Sequence, residues 1–525
     1  MEMMKSLVFL FAGFTTEYAL KPLFDSKSAF DRCLLWACGI EGEPSFSIAV
    51  NSKTSGLVEE AVEKLSLNKR VSIIKKDEWT VTSLLEAMSS EADKNKADTI
   101  IYTVADRPFL DGELSKKILK AHSEYLAEYT SSDGYPLGLY PEVINAGTAK
   151  ILLALSQESQ AEEGKKPVSN NSFFSIMKGD VNAFEIETVM AEKDFRMMRL
   201  DFSCSTKSLT ASCLALFELM KKEGNTDFSA YNLAEKACKS SSVQKGLPSY
   251  YNIQLSKRFS TKAVYNPMLG LLNENDTMAF DKFTLLIKQI NDFSESAVVG
   301  LGTWTDPLMS SDFTKCAKEV LSYPNLSLLV ETAGVSLQQG QLESIAKELA
   351  PYAGRINWII SLDAFTPATY QKIHGCDCFA KATETVSVLQ QYFPLDVYPQ
   401  FTRMNINEEE LESFYRFWHD VASPSKGKLI IQKYDTVCGL LSDERPADLS
   451  PLERVPCWHI KRDMTILTNG DVPICRETFN SPIGNVFKES LEEVWNKNSS
   501  LLQDHIKNIY NEKCGNCDEY YTFNF

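Results

Sequence analysis

Four cysteines near the C-terminal end constrain this chain more than any other feature. Cys457 and Cys475 bracket Gly470 in the pattern Cys-x12-Gly-x4-Cys, and Cys514 and Cys517 follow as Cys-x2-Cys. Thiolates are soft donors, so four of them gathered at one place suit an iron–sulfur cluster or a tetrahedral zinc ion. The chain holds 13 cysteines in 525 residues, and those outside the quartet are scattered. An odd count in a chain long enough to bury its own core argues against a disulfide framework. It predicts a reducing compartment with one dedicated metal site.

Charge narrows the partners. A formal net charge of −16 disfavours general binding to a phosphate backbone, which needs a basic surface, so nucleic acid is not an expected partner. Lys5 followed by the apolar run Leu7–Ala12 has the outline of a secretion signal. The run is short, however, and Gly13-Phe14-Thr15-Thr16 stands where small residues would mark cleavage. A buried first strand is the expectation. No other run is long enough to span a membrane, and the expected location is the cytoplasm.

Polar stretches mark the seams: Ser156 to Ser172, Lys239 to Ser249, and Leu441 to Pro456 with its three prolines. Between them, short apolar strands alternate with helical stretches, the rhythm of a multidomain α/β chain. In the first block, 6–11, 45–50, 71–74 and 99–103 read as strands, and 57–65, 81–92 and 111–129 as helices. In the second, 297–301, 326–331, 357–362 and 396–400 read as strands, each followed by a helix. Such a repeat builds a parallel sheet or partial barrel with ligands at the strand C-terminal ends. The expected domains are 1–240, 247–440 and 450–525.

In the last block, Met464 to Ile474 reads as a hairpin turning at Asn469-Gly470, with the glycine at positive φ. The hairpin would bring Cys457 and Cys475 together. Ser481-Pro482-Ile483-Gly484-Asn485 then leads into an amphipathic helix, Leu491 to Trp495. This series resembles the SPASM domain, the auxiliary-cluster module of many radical S-adenosylmethionine enzymes. The resemblance implies one [4Fe–4S] cluster on Cys457, Cys475, Cys514 and Cys517, because the further cysteines of two-cluster members do not follow Cys517. Zinc on the same four thiolates is the alternative.

The middle block resembles a radical S-adenosylmethionine barrel that lacks its iron ligands. Where the family has Cys-x3-Cys-x2-Cys, this chain has Phe259, Ala263 and Asn266, with the family's aromatic residue kept as Tyr265. Thr305-Asp306-Pro307, Glu331 to Gly334, Ser361-Leu362-Asp363, Thr369-Tyr370, Ile373-His374-Gly375 and Arg403-Met404-Asn405 match later strand ends in order. Phe and Ala supply no ligand and Asn only a hard, weak one, so reductive cleavage of S-adenosylmethionine is not expected. Cys376 and Cys378 read as small apolar side chains at a loop–helix junction, and Cys316 and Cys438 as isolated core residues. Asp306 and Asp363 read as hydrogen-bonded strand-end carboxylates.

In the first block, a strand, a Gly13 loop and Lys21-Pro22-Leu23 precede a helix, and Asp106 follows an apolar strand in Ala105-Asp106-Arg107-Pro108. With Asp133 to Glu142, this resembles the sugar-activating cytidylyltransferases of the GT-A fold. The resemblance implies nucleotide contact by Lys21 and a magnesium ion at Asp106. The loop is one residue short and carries Glu17 and Tyr18 where an arginine is expected, and Asp201 sits in an altered segment. A structural turn role for Asp106 and a solvated one for Lys21 are the plainer alternatives.

The order of the three blocks resembles the spiro-SPASM family. It implies a GT-A-like sandwich, a radical-SAM-type partial barrel and a small cysteine-rich domain. Three functions remain open at this level. One is an iron–sulfur protein that binds or passes electrons to a peptide or nucleotide-sugar and works with a redox partner. The second is a nucleotidyltransferase, and the third a zinc-stabilised scaffold.

Overall fold

The computed structural model describes residues 5–67, 71–158, 162–269 and 276–522. The chain divides into two compact units, 1–246 and 247–525. Residues 159–161 of the second polar half of the first block lie outside the described residues.

The first unit is built on one mixed sheet. Its strands are β1 (Ser6–Ala12), β2 (Ser45–Val50), β3 (Val71–Lys75), β4 (Thr99–Val104), β5 (Tyr129–Asp133), β6 (Glu142–Asn145) and β7 (Ile186–Met190). They lie in the order β3-β2-β1-β4-β6-β5-β7, all parallel except β6, which runs against both neighbours. β1 shows why the run at 6–12 folds rather than signals. Alternate side chains of a strand point to opposite faces, so Leu7, Phe9 and Phe11 enter one core while Val8, Leu10 and Ala12 enter the other. A strand apolar at every position can only be central, and β1 is paired on both edges.

One expected helix is shortened. The helix reading for 111–129 holds only for Gly112–Glu124. Leu126 turns the chain at φ 54°, and Tyr129 begins β5. The aromatic and hydroxyl-bearing residues there fit a half-buried pleated strand better than another helical turn.

The second unit holds a seven-stranded, wholly parallel sheet. β8 (Tyr250–Ile253), β9 (Ala297–Leu301), β10 (Leu326–Thr332), β11 (Ile356–Ser361), β12 (Val397–Arg403) and β13 (Ile430–Lys433) follow one another across it, and β14 (Asp463–Ile466) adds beside β8. Helices such as Phe280–Ser294 and Phe379–Gln390 cover the outside. Tyr251, Val299, Leu328 and Trp358 pack into that layer, while Tyr250, Leu329 and Ile359 face inward. This is an open α/β barrel.

β14 corrects the hairpin expected over 464–474. The turn itself forms: Gly470 lies at φ 84°, its N–H donates to Leu467 O, and Leu467 N–H donates to Asp471 O. The flanking segments then part. Residues 463–466 join the barrel sheet, while β15 (Asp471–Pro473) pairs antiparallel with β16 (Pro482–Asn485). Met464 and Ile466 are apolar enough to be buried in the barrel core, which two-stranded pairing alone would not provide. Gly470 is fixed twice over, because a Cβ there would stand 2.4 Å from the Phe487 ring.

Candidate metal centre and barrel cavity

Cys457 caps the short helix Trp458–Arg462, Cys475 follows β15, Cys514 lies within the single helical turn Glu512–Gly515, and Cys517 follows that turn. The structure brings all four together. Burial raises three of these thiols, and neighbours raise them further: Cys457 by Cys517 and Cys514, Cys475 by Glu477, Cys517 and Cys457, Cys514 by Cys517; Cys517 is raised first by Cys438 and then by burial. Such thiols stay protonated unless a metal ion takes them as thiolates.

The surroundings fit thiolates. The N–H groups of His459 and Ile460 point at Cys457, Thr478 Oγ1 lies 3.6 Å from Cys475 Sγ, Asn511 reaches Cys514, and Glu519 N–H donates to Cys517 Sγ at 3.3 Å. Each sulfur therefore has a donor, the arrangement that stabilises a charged, metal-bound sulfur. Spacing adds a second fact. Among the described residues, the one group of three or more ligand side chains with atoms all within 4.8 Å of one another is Asp435, Asp518 and Glu519. No three of the four thiols are that close.

Two clamps hold the site. His459 lies 2.6 Å from the Asp463 carboxylate through Nδ1 and 3.0 Å from Glu519 O through Nε2. Both partners only accept, so both ring nitrogens carry protons; burial opposes the charge, but Asp463 prevails and the pKa is raised. Arg454 donates to Cys514 O and Gly515 O while lying over the Tyr510 and Tyr520 rings at 4.3 and 4.4 Å. The nearby carboxylates are balanced by cations. Lys433 sits 2.9 Å from Asp518 and 2.5 Å from Glu519, and Arg445 2.8 Å from Asp518. An ammonium group therefore already serves that acidic set.

A cavity of about 420 Å³ opens at the C-terminal ends of the barrel strands. Phe259, Trp304, Asp306, Glu331, Lys433 and Arg476 are among its walls. Arg476 follows Cys475 directly, so one strand end supplies both a thiol of the metal centre and a cation of the cavity. Its guanidinium lies 4.4 Å from the Trp304 ring centroid and 3.9 Å from Glu331.

The segment 259–266 also lines this cavity, and hydrogen bonds hold it. Tyr265 donates its hydroxyl to Asp363 Oδ2 at 2.6 Å, and His374 Nε2 lies 3.1 Å from the same oxygen. Asn266 spends both ends of its amide, donating to Trp304 O and accepting from Met268 N–H. Asp306 is saturated by Ser260, Thr332 and Leu308 N–H. The strand-end reading of Asp306 and Asp363 is what the structure shows, and Cys316 is core.

Cys438 is different from its sequence reading. It is not isolated: it lies close enough to Cys517 to raise that thiol. Sequence reasoning also missed Arg476, Asp435 and Trp304. Only the position of Arg476 beside Cys475 could have signalled any of them.

In the first unit, Asp106 is buried with Oδ1 unpartnered, and burial, with Asp201 nearby, pushes its carboxyl up to about 6. Lys21 is half-exposed and paired to Glu17 at 2.7 Å.

Comparison with known proteins agrees with the C-terminal reading. Residues 457–518 match the SPASM model, described as an iron–sulfur cluster-binding domain. The structure of Streptococcus suis SuiB bound to precursor peptide SuiA is similar at 13% identity and a TM-score of 0.43, covering 63% of this chain and 88% of that one. A cytidylyltransferase from Leptospira borgpetersenii is similar at 13% identity and a TM-score of 0.36, covering 44% and 93%. An uncharacterized protein of Treponema pallidum (strain Nichols) is 37% identical over 365 residues, 67% of this chain and 98% of the relative. The chain belongs to one family with that relative, the spiro-SPASM family, and is an iron–sulfur cluster-binding protein by its C-terminal domain.

Proposed function

We propose that this protein carries a single [4Fe–4S] cluster on Cys457, Cys475, Cys514 and Cys517, and that the cluster serves a ligand held in the barrel cavity. When bound, the cluster supplies one-electron transfer. The observation that carries this reading is the Cys475–Arg476 step, which joins the metal centre to the cavity wall through one peptide bond.

Within the cavity, Arg476 and Lys433 offer charge to an anionic or carbonyl group, and Trp304 and Phe259 offer apolar faces. A volume of about 420 Å³ suits a peptide side chain or a sugar unit rather than a whole macromolecule. The barrel does not cleave S-adenosylmethionine in this reading, because the 259–266 loop has hydrogen bonds where thiolates would be needed. Anaerobic purification followed by iron and sulfide analysis should give about four of each per chain, with a broad absorption shoulder in the blue. Colourless, zinc-loaded protein would replace the cluster with the scaffold reading. Reductive cleavage of S-adenosylmethionine by the reduced protein would refute the loss of radical chemistry.

A second reading rests on Asp106. A buried carboxylate with an orphaned oxygen and Asp201 nearby is the pattern of a divalent-cation ligand pair. Under it, the first unit binds a nucleotide with magnesium. Calorimetry with CTP and Mg²⁺ tests this, and the absence of heat at high ligand concentration ends it.

A further inference from the structure

One side of the barrel cavity is made of neutral hydrogen-bonding side chains. Alternate residues of a strand share a face, so Gln400 and Thr402 of β12 both line the cavity, and the register sets Gln432 of β13 beside Thr402. The Gln400 and Gln432 amides make no side-chain hydrogen bond among the described residues. Each can donate and accept at once. The same cavity holds an unclosed charge pair. Glu331 lies 3.9 Å from Arg476, beyond hydrogen-bond reach, and its carboxylate accepts no hydrogen bond among the described residues. Trp304 is held beside them at φ 56°, a region that side-chain-bearing residues avoid, by its Nε1 donating to Arg476 O at 3.1 Å and by Asn266 donating to its own O at 3.0 Å.

These groups decide the class of ligand. A full anion is a poor fit: Asp306, Glu331 and Asp435 line the cavity, while Lys433 is already paired to Asp518 and Glu519, and Arg476 Nε to Glu477 at 3.1 Å. An aliphatic side chain fits no better, because it would leave both amides and the Glu331 carboxylate desolvated without partners. A ring with hydroxyls along its edge and C–H bonds on its faces meets both demands. Its hydroxyls donate to Glu331 and accept from Arg476, and its face packs on the aromatic wall. We propose that the barrel cavity binds an uncharged sugar ring, held by Gln400, Gln432, Glu331 and Arg476 against Phe259 and Trp304. This narrows the cavity ligand of the cluster reading above and rests on that reading.

The test is ligand-observed saturation-transfer NMR on the full chain, purified anaerobically, with D-glucose, D-galactose, D-mannose and N-acetyl-D-glucosamine. D-glucuronate and a short neutral peptide serve as the competing classes. At least one neutral sugar should bind, and more tightly than the glucuronate or the peptide. Glu331→Gln should weaken that binding on the order of tenfold, since it replaces a charged acceptor by a neutral one. Gln432→Leu should weaken it severalfold, and this half-buried position keeps the test open if Glu331→Gln does not fold. The methyl glycoside and the UDP-linked form of the bound sugar run alongside, and the tighter of the two assigns the ring to a glycan end or to a nucleotide-sugar. Failure of every neutral sugar to bind, tighter binding of the glucuronate or the peptide, or binding unmoved in the folded variants overturns the inference. Iron-free protein that still binds sugar in this way would sink the cluster reading alone. Iron-loaded protein that binds none would sink this inference alone, so the two failures are distinguishable.

Discussion

The candidate metal centre and the mouth of the barrel lie in one compact unit and differ in what fills them. Around Cys475 the protein keeps buried sulfur, with the Thr478 hydroxyl 3.6 Å away. Around Ala263, Tyr265 donates to Asp363, which His374 also approaches, and Asn266 donates to Trp304 O and accepts from Met268 N–H. Both regions are folded and well packed. The difference teaches that a barrel mouth can satisfy its polar groups internally, whereas gathered buried thiols are suited to a metal.

The largest contrast should come from Cys475→Ala. Iron content should drop to background, and the thermal transition of the second unit should move down by many degrees, since metal binding is coupled to folding. Metal retained in that variant would break the division between the two regions. His505 gives the next effect. It is buried with both ring nitrogens unpartnered, and burial, with Arg454 nearby, holds its pKa down at about 4. The unfolded chain takes up that proton below about 6.5 and the folded one does not, so stability is lost as pH falls from there towards 4. The full loss is on the order of 3 kcal/mol. His505→Leu should flatten this part of a denaturation-versus-pH curve; an unaltered acid slope would show that the imidazole has a partner in solution.

At the barrel mouth, Tyr265→Phe removes the donor to a buried carboxylate and should cost about 1–3 kcal/mol in urea denaturation. Iron content should stay at the wild-type value, because the loop belongs to the region without metal. If iron fell as well, the two regions would be one coupled site. The smallest effect is expected at Lys21, whose ion pair with Glu17 is largely solvated. Lys21→Ala should change stability by no more than about 0.5 kcal/mol. A larger change, or loss of CTP binding where the wild type binds, would return Lys21 to the nucleotide-contact role.

Much of the framework can be read from residue order. The continuous apolar runs at 6–12 and 297–301 announce central parallel strands because no other environment buries every side chain of a strand. The Cys-x12-Gly-x4-Cys and Cys-x2-Cys spacings pick out the ligand set, since local turns bring such residues together. The fate of 463–466 was not legible. Its pattern suits either a hairpin or an added barrel strand, and the choice depends on the open edge of β8, more than two hundred residues earlier.

What the sequence determines by itself is chemistry: which side chains can hold a soft metal, and that none at 259, 263 or 266 can. What only the tertiary structure decides is company. Cys438 has no nearby cysteine in the chain, yet the fold sets it close to Cys517. Cys475 and Arg476 are neighbours in sequence, yet which faces thiols and which faces the cavity is set by packing on either side of one strand end. Such contacts are made by segments far apart in the chain, and their spacing carries no local signal.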